Sequence, residues 1–270
     1  MRISILTPSF NQGSFIEKNI ESVLNQNWGD TEHIIVDGGS TDNTINILKK
    51  YPHLKWVSEP DEGQADALNK GLKMATGDIV GWINSDDYYE ANIFREVVTI
   101  FENESVRWVI GNIFMAYPSF GITEKTISPE ITYKKLLKNP DIVRQQATFF
   151  KKDTLVATGG WNKKYHMAMD FDLWVRLSKK APAKMANREW AYFTHHDLQK
   201  TSSKNILLQV SDIMDILQRE NLSWIKIQRT VWKKYYYYFK SIIKNTLIYL
   251  GLLDSKYCNT PISLLKNHRL

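Results

Sequence analysis

The first hundred residues alternate short β-rich runs with helical ones, and no other feature of the chain restricts its possible folds as strongly. "RISILTP" reads as a strand; Ile16, Ile20, Val23 and Leu24 then recur at helical spacing, behind a capping-box pattern from Ser14 to Glu17. "EHIIVD" is a second strand, followed by "STDNTINILKKY", a short helix that Thr41 or Asp42 would cap. "LKWVSE" is a third strand, "GQADALNKGLKMA" a helix with Ala65, Leu68, Leu72 and Ala75 on one face, and "DIVGWIN" a fourth strand. Such alternation predicts an α/β fold, a mostly parallel twisted sheet with helices on both faces.

Ligands of such sheets bind beyond the carboxyl ends of the strands. Those ends carry Thr7-Pro8-Ser9-Phe10-Asn11, Asp37-Gly38-Gly39-Ser40, Glu59-Pro60-Asp61 and Asn84-Ser85-Asp86-Asp87, so four separate segments bring polar and acidic groups to one edge. After Asp87 the alternation loosens. "IFREVVTIF" reads as a helix, "VRWVIGNIFMAY" as a strand, "SPEITYKKLLKN" as a capped helix, and "QQATFF" and "AKMANREWAYFTHH" as further strands. "MDFDLWVRLSKK" fits both periods. A helix is expected there because Asp170 or Asp172 can open it and Lys179 and Lys180 complement its end. From about Lys204 the pattern is helical only.

Composition narrows the chemistry. With 43% hydrophobic residues the chain can bury a core, and its single cysteine, Cys258, excludes an internal disulfide framework and a multi-cysteine zinc site. The opening "RISILTPSF" has no signal-peptide pattern, so a cytoplasmic protein is expected. No run reaches the ~18 apolar residues that would span a bilayer. Neither GxxxxGK[ST] nor a GxGxxG after the first strand occurs, which removes P-loop and dinucleotide cradles. A net charge of +6 suits an anionic partner. A pyrophosphate beside Asp37, Asp42, Asp86 and Asp87 would need a divalent cation between the charges.

The runs "SILTPSFNQGSFIEKNIESVLNQ", "EHIIVDGGSTDNT", "EPDEGQADALNKGLKMATGDIVGWINSDD", "QATFFKKDTLVATGGWNKKYHMAMDFDLWVRL" and "FTHHDLQKT", in that order, resemble the inverting glycosyltransferases of family 2, which have the GT-A fold. The resemblance implies a nucleotide-sugar donor, most often a uridine diphosphate (UDP) sugar, and Mn²⁺ or Mg²⁺. By position it makes Asp37 the acid that contacts the base and Thr7 to Asn11, with Pro8 and Phe10, a wall of the nucleotide pocket. Asp61, Lys70, Asn84 and Ser85 would also meet the nucleotide. Asp86 matches the metal carboxylate, and Asn84 stands where the family has its first aspartate, so it brings no charge unless Asp87 compensates. His196, ahead of His195, matches a histidine near the metal or diphosphate, and Asp170 the catalytic base, with Asp172 its rival and Met169 in place of the usual preceding acid. It also divides the chain into a GT-A domain over 1–203, with a nucleotide-sugar half to about 115 and an acceptor half from about 116, and a helical extension over 204–270.

Plainer readings exist for each residue. Asp86-Asp87 and Asp170 could cap helices, Asp37 before Gly-Gly could form an Asx-turn, His195-His196 could lie in a solvated loop, and Gly159-Gly160-Trp161 is best read as a structural turn. Between 223 and 250, Lys226, Arg229, Lys233, Lys234, Lys240 and Lys244 interleave with Trp224, Trp232 and Tyr235 to Tyr238, without an acid. That pattern suits an interfacial helix at a membrane surface, or one packed on another protein surface; no nucleic-acid reading module accompanies the charge. The expected function is therefore sugar transfer from a nucleotide diphosphate donor to a hydroxyl of a glycan or lipid-linked glycan in surface polysaccharide assembly. The alternatives are an inactive nucleotide-sugar-binding protein and a basic membrane-associated scaffold.

Overall fold

In the computed structural model, which describes residues 1–196, 199, 205–232, 236 and 240, the four N-terminal apolar runs form β1 (Ile3–Ser9), β2 (Thr31–Asp37), β3 (Lys55–Ser58) and β4 (Ile79–Trp82). They pair in parallel in the order β3-β2-β1-β4. Parallel neighbours need crossovers, supplied by α1 (Ile16–Leu24), α2 (Thr44–Leu48) and α3 (Gln64–Met74). α1 buries Ile16, Asn19, Ile20 and Val23, while Leu24 faces solvent. The capping box at Ser14 does not form: the helix starts at Ile16 behind Phe15 with no side-chain cap, one residue later than that pattern requires. α3 presents Ala65, Leu68 and Leu72 inward as expected, and Ala75, just past its end, is buried too.

The second half adds β5 (Tyr88–Tyr89), α4 (Phe94–Phe101), β6 (Trp108–Tyr117), β7 (Ile122–Thr126), α5 (Tyr133–Leu136), β8 (Thr148–Lys151), α6 (Lys152–Ala157), α7 (Met169–Lys180) and β9 (Lys184–Thr194). The sheet continues β4-β8-β6-β9-β5, with β7 on β6. β8 runs antiparallel to both β4 and β6, and β9 runs parallel to β6, so this half is mixed. The helix expected over "SPEITYKKLLKN" shrinks to the single turn of α5, capped by Thr132 through Lys135 N–H. α7 is a helix that buries Phe171, Leu173, Trp174, Val175 and Leu177, so it is covered on nearly every side. That burial is why its sequence fits two periodicities at once.

Packing against β4, β8 and β6 is aromatic. Trp174 stacks on Trp108 (5.9 Å), Phe150 (5.8 Å) and Trp82 (6.4 Å), and Trp82 meets the edge of Trp161 at 5.5 Å. Rings of this size are rigid, so they fix the backbone from which the next residues emerge.

The chain divides into two compact units, Met1–Ser202 and Ser203–Leu270. In the second, α8 (Ile206–Arg219) buries Val210, Ile213, Ile216 and Leu217. Residues 224–232 are helical again, burying Ile227 and Val231 and exposing Trp224, Ile225 and Trp232. Most of the expected interfacial segment after 232 lies outside the described residues. No described helix is long and apolar enough to cross a membrane.

Candidate active site

Beyond the C-terminal ends of β1, β3 and β4 lies a cleft of about 450 Å³. β1 contributes Pro8, Ser9 and Phe10; the turn into α3 contributes Asp61, Gly63 and Gln64; and Trp82, Asn84, Ser85 and Asp86 follow from β4. The far half supplies Gln145, His166, Met167, Met169, Asp170, Phe193 and Gln199. The volume suits a ligand of small-molecule size.

Asn84 is held by three side chains. Its Oδ1 accepts from Gln64 Nε2 (2.7 Å) and Trp82 Nε1 (3.0 Å), and its Nδ2 donates to Gln145 Oε1 (3.1 Å). Gln145 Nε2 in turn donates to the Trp82 carbonyl at 2.7 Å, which fixes the orientation of both amides. A carboxylate at 84 could satisfy Gln64 and Trp82 but not the acceptor of Gln145. The amide is thus explained by its neighbours.

Asp86 Oδ2 stands 3.1 Å from His196 Nε2, and the His196 ring stacks on Phe15 at 4.2 Å. His195 instead packs against Tyr117. Asp87 is a correction: it turns into the interior, where its Oδ1 accepts Thr194 N–H at 2.9 Å and its Oδ2 has no hydrogen-bond partner among the described residues. Burial first, and the Asp86 charge second, push its carboxyl well above the usual range. Asp87 is thus buried and off the cleft wall that Asp86 lines. Nor do these acids cap a helix, because β5 follows and the next helix starts at Phe94.

Among the described residues no three His, Cys, Asp or Glu side chains converge as a metal cluster. The donor set is the pair Asp86 and His196. One or two protein ligands suit Mg²⁺ or Mn²⁺ when substrate phosphates and water complete the shell, so the residues present fit such an ion held jointly with a diphosphate.

Other expected pocket residues divide between wall and frame. Asp37 is fully buried, and its carboxylate accepts Gly39 N (3.1 Å), Ser40 N (2.8 Å), Ser40 Oγ (2.5 Å) and Ser58 Oγ (2.7 Å). It makes the Asx-turn and is not on the cleft wall. Thr7 is also buried, bonded to His33 Nε2 at 2.9 Å. Asn11, at φ +53°, ties its loop to Ser40 and Thr41 outside the cleft. Lys70 pairs with Glu59 at 2.8 Å and donates to the Pro60 carbonyl at 3.2 Å, bracing the loop that carries Asp61. Asp61, Pro8, Phe10, Asn84 and Ser85 remain on the wall.

The two candidate bases separate clearly. Asp172 is fully buried and paired with Arg176 (2.6 Å), whose guanidinium also holds the carbonyls of Thr158 and Gly160. Asp172 thus locks the Gly159-Gly160 turn, where both residues have positive φ. Asp170, in the first turn of α7, lines the cleft, with its Oδ1 accepting Phe171 N–H at 2.7 Å. Sequence reasoning missed Gln64, Gln145 and His166 as wall residues. Gln64 could have been found, since it opens α3 beside Asp61 on the polar sheet edge; Gln145 opens a single 3-10 turn where a strand was expected, and His166 lies in a segment without a periodic signal.

Chondroitin synthase of Pasteurella multocida is 28% identical over 203 residues, 69% of this chain and 20% of the relative. A PGL/p-HBAD biosynthesis glycosyltransferase of Mycobacterium bovis is 28% identical over 180 residues, covering 64% of this chain and 68% of the relative. The match thus spans only about a fifth of the length of the Pasteurella multocida chondroitin and hyaluronan synthases. Among solved structures, S. aureus TarS 1-349 with UDP-GlcNAc superposes with a TM-score of 0.65 at 18% identity, over 86% of this chain and 70% of that one. Mannosyltransferase PcManGT from Pyrobaculum calidifontis, in complex with GDP-Man and Mn²⁺, gives 0.60 at 17%, over 87% and 69%. These likenesses show a GT-A-type fold. The family model for glycosyl transferase family 2 matches residues 4–167, more than half of the chain, and the chain belongs to that family.

Proposed function

We propose that the protein is a metal-dependent, inverting glycosyltransferase that moves a sugar from a nucleotide diphosphate donor, a UDP-sugar foremost, to a hydroxyl of a glycan or lipid-linked glycan in surface polysaccharide assembly. The observation that carries this reading is a single cleft that joins Asp86, paired with His196, to Asp170. Asp86 and His196 would hold the divalent cation, which when bound would supply Lewis-acid stabilisation of the negative charge on the departing diphosphate. Asp170 accepts the proton of the incoming hydroxyl, and attack from the face opposite the leaving group inverts the anomeric centre. The Asn84 amide, fixed by Gln64 and Gln145, orders the strand end from which Asp86 projects.

Donor complexes of the structural neighbours, UDP-GlcNAc for TarS and GDP-Man with Mn²⁺ for PcManGT, support the donor class. The exposed Trp224, Ile225 and Trp232, with Lys226 and Arg229 on the same helical segment, support contact with an anionic membrane surface. Calorimetry with UDP, with and without Mn²⁺, tests the enzyme reading: metal-dependent binding is expected, and its absence removes it. An inactive binding protein would show that binding with no transfer to any acceptor.

A further inference from the structure

Building on that reading of the cleft, we infer that Asp61 reads the nucleotide base, and that Gly38 is glycine so that Asp61 can reach it. The strand order β3-β2-β1-β4 puts the loop that carries Asp61, after β3, and the loop that carries Asp86, after β4, at opposite ends of the parallel layer, whose outer strands lie three spacings, about 14 Å, apart. That separation approximates the length of a nucleoside diphosphate. With the diphosphate at Asp86 and His196, the base falls at the Asp61 end.

The groups at that end suit a base. Phe10 lines the cleft with 58% of its surface exposed, an apolar ring available for stacking. Gly38 N–H donates to the Ser9 carbonyl at 2.8 Å, which brings the second strand's end against the residue before Phe10. A Cβ at Gly38 would stand 2.8 Å from Asp61 Oδ2, so the carboxylate fills the space that any side chain there would need. Asp61 Oδ1 accepts Gly63 N–H at 2.8 Å, which orients the group, while Oδ2 has no hydrogen-bond donor among the described residues. Asp37 cannot serve instead, because four donors already fill it.

An ionised carboxylate only accepts hydrogen bonds. It therefore matches bases that present a ring N–H, uracil at N3 or guanine at N1. Cytosine and adenine present a lone pair at the corresponding ring nitrogen, so they would set acceptor against acceptor.

The test is calorimetry of the full chain with Mn²⁺ and, separately, UDP, GDP, CDP and ADP, on the wild type, Asp61→Asn and Gly38→Ala. The wild type is expected to prefer UDP or GDP over CDP and ADP by about 10- to 100-fold. Asp61→Asn should erase that preference, since its amide can donate to cytosine N3, while metal-dependent affinity for the diphosphate persists. Gly38→Ala, whose Cβ displaces Asp61, should weaken UDP without weakening inorganic pyrophosphate. Equal binding of all four nucleotides by the wild type, or an unchanged preference in Asp61→Asn at unchanged thermal stability, overturns the inference and leaves the transferase reading standing. Binding of none of them overturns both.

Discussion

Replacing Asn84 by Asp restores the carboxylate that the family pattern places there, and the structure predicts that this harms the protein. The Nδ2 donor to Gln145 Oε1 is lost, and two acceptors then face each other. Gln145 cannot simply flip its amide, because its Nε2 is committed to the Trp82 carbonyl. Leaving one buried acceptor unpaired costs about 1–3 kcal/mol. Charge-assisted bonds from Gln64 and Trp82 offset part of that, for a net loss of about 1–2 kcal/mol at pH 7. For a domain of this size the loss amounts to a Tm lower by roughly 2–8 °C. In acid the new carboxyl protonates and can donate to Gln145. The gap from wild type should therefore narrow as pH falls, the sign expected when a folded-state pKa lies above its unfolded value. Because the side chain stays engaged with Gln64 and Trp82, Mn²⁺-dependent UDP affinity should change less than about threefold, on the order of half a kcal/mol. Thermal melts across pH, paired with calorimetry, decide the matter. An Asn84→Asp variant that binds metal and UDP tenfold tighter at an unchanged Tm refutes the argument.

Other consequences follow from the frame beneath the cleft. Burial, helped by the charge of His53, holds the His33 imidazole down to about 3. The folded protein then resists a proton that the unfolded chain takes up below about 6.5, and stability should fall by about 2 kcal/mol between pH 6.5 and 5; denaturant melts of His33→Gln should lack this slope. Below about pH 4.5 a second loss is expected from Glu32, whose carboxyl burial pushes up but Lys55, Ser4 and Thr76 bring down to about 2; Glu32→Gln should remove it. Arg176→Ala removes the ion pair of the buried Asp172 and should cost about 3–5 kcal/mol by urea melts, while Arg176→Lys should lose less. Sedimentation with phosphatidylglycerol vesicles should fall at least severalfold when Trp224 and Trp232 become Ala, whereas unchanged sedimentation removes the membrane contact.

The four-strand parallel layer was legible because β1 to β4 carry apolar runs punctuated by turn residues, and because α3 shows one clean apolar face. α7 was less so, since a helix buried on most sides loses its periodicity. At the site, the edge position of Asp61, Asp86 and Phe10 could be read from strand ends alone. The inward turn of Asp87 and the filling of Asp37 could not: Asp86 sits in a turn that Asp87 N–H closes on the Asn84 carbonyl, and which acid faces the core depends on β9, which is more than 90 residues away in sequence. Asp170 and Asp172 were likewise separated only by Arg176, whose bond to Asp172 shows which acid is consumed by structure.

The most direct test of the account is Asp170→Asn, measured for both donor binding and sugar transfer. UDP affinity in Mn²⁺ should stay within about twofold of wild type while transfer, scored by nucleotide release with the donor and acceptor selected by screening, drops at least about 100-fold. Transfer at the wild-type rate in Asp170→Asn would contradict the assignment of Asp170 as the base.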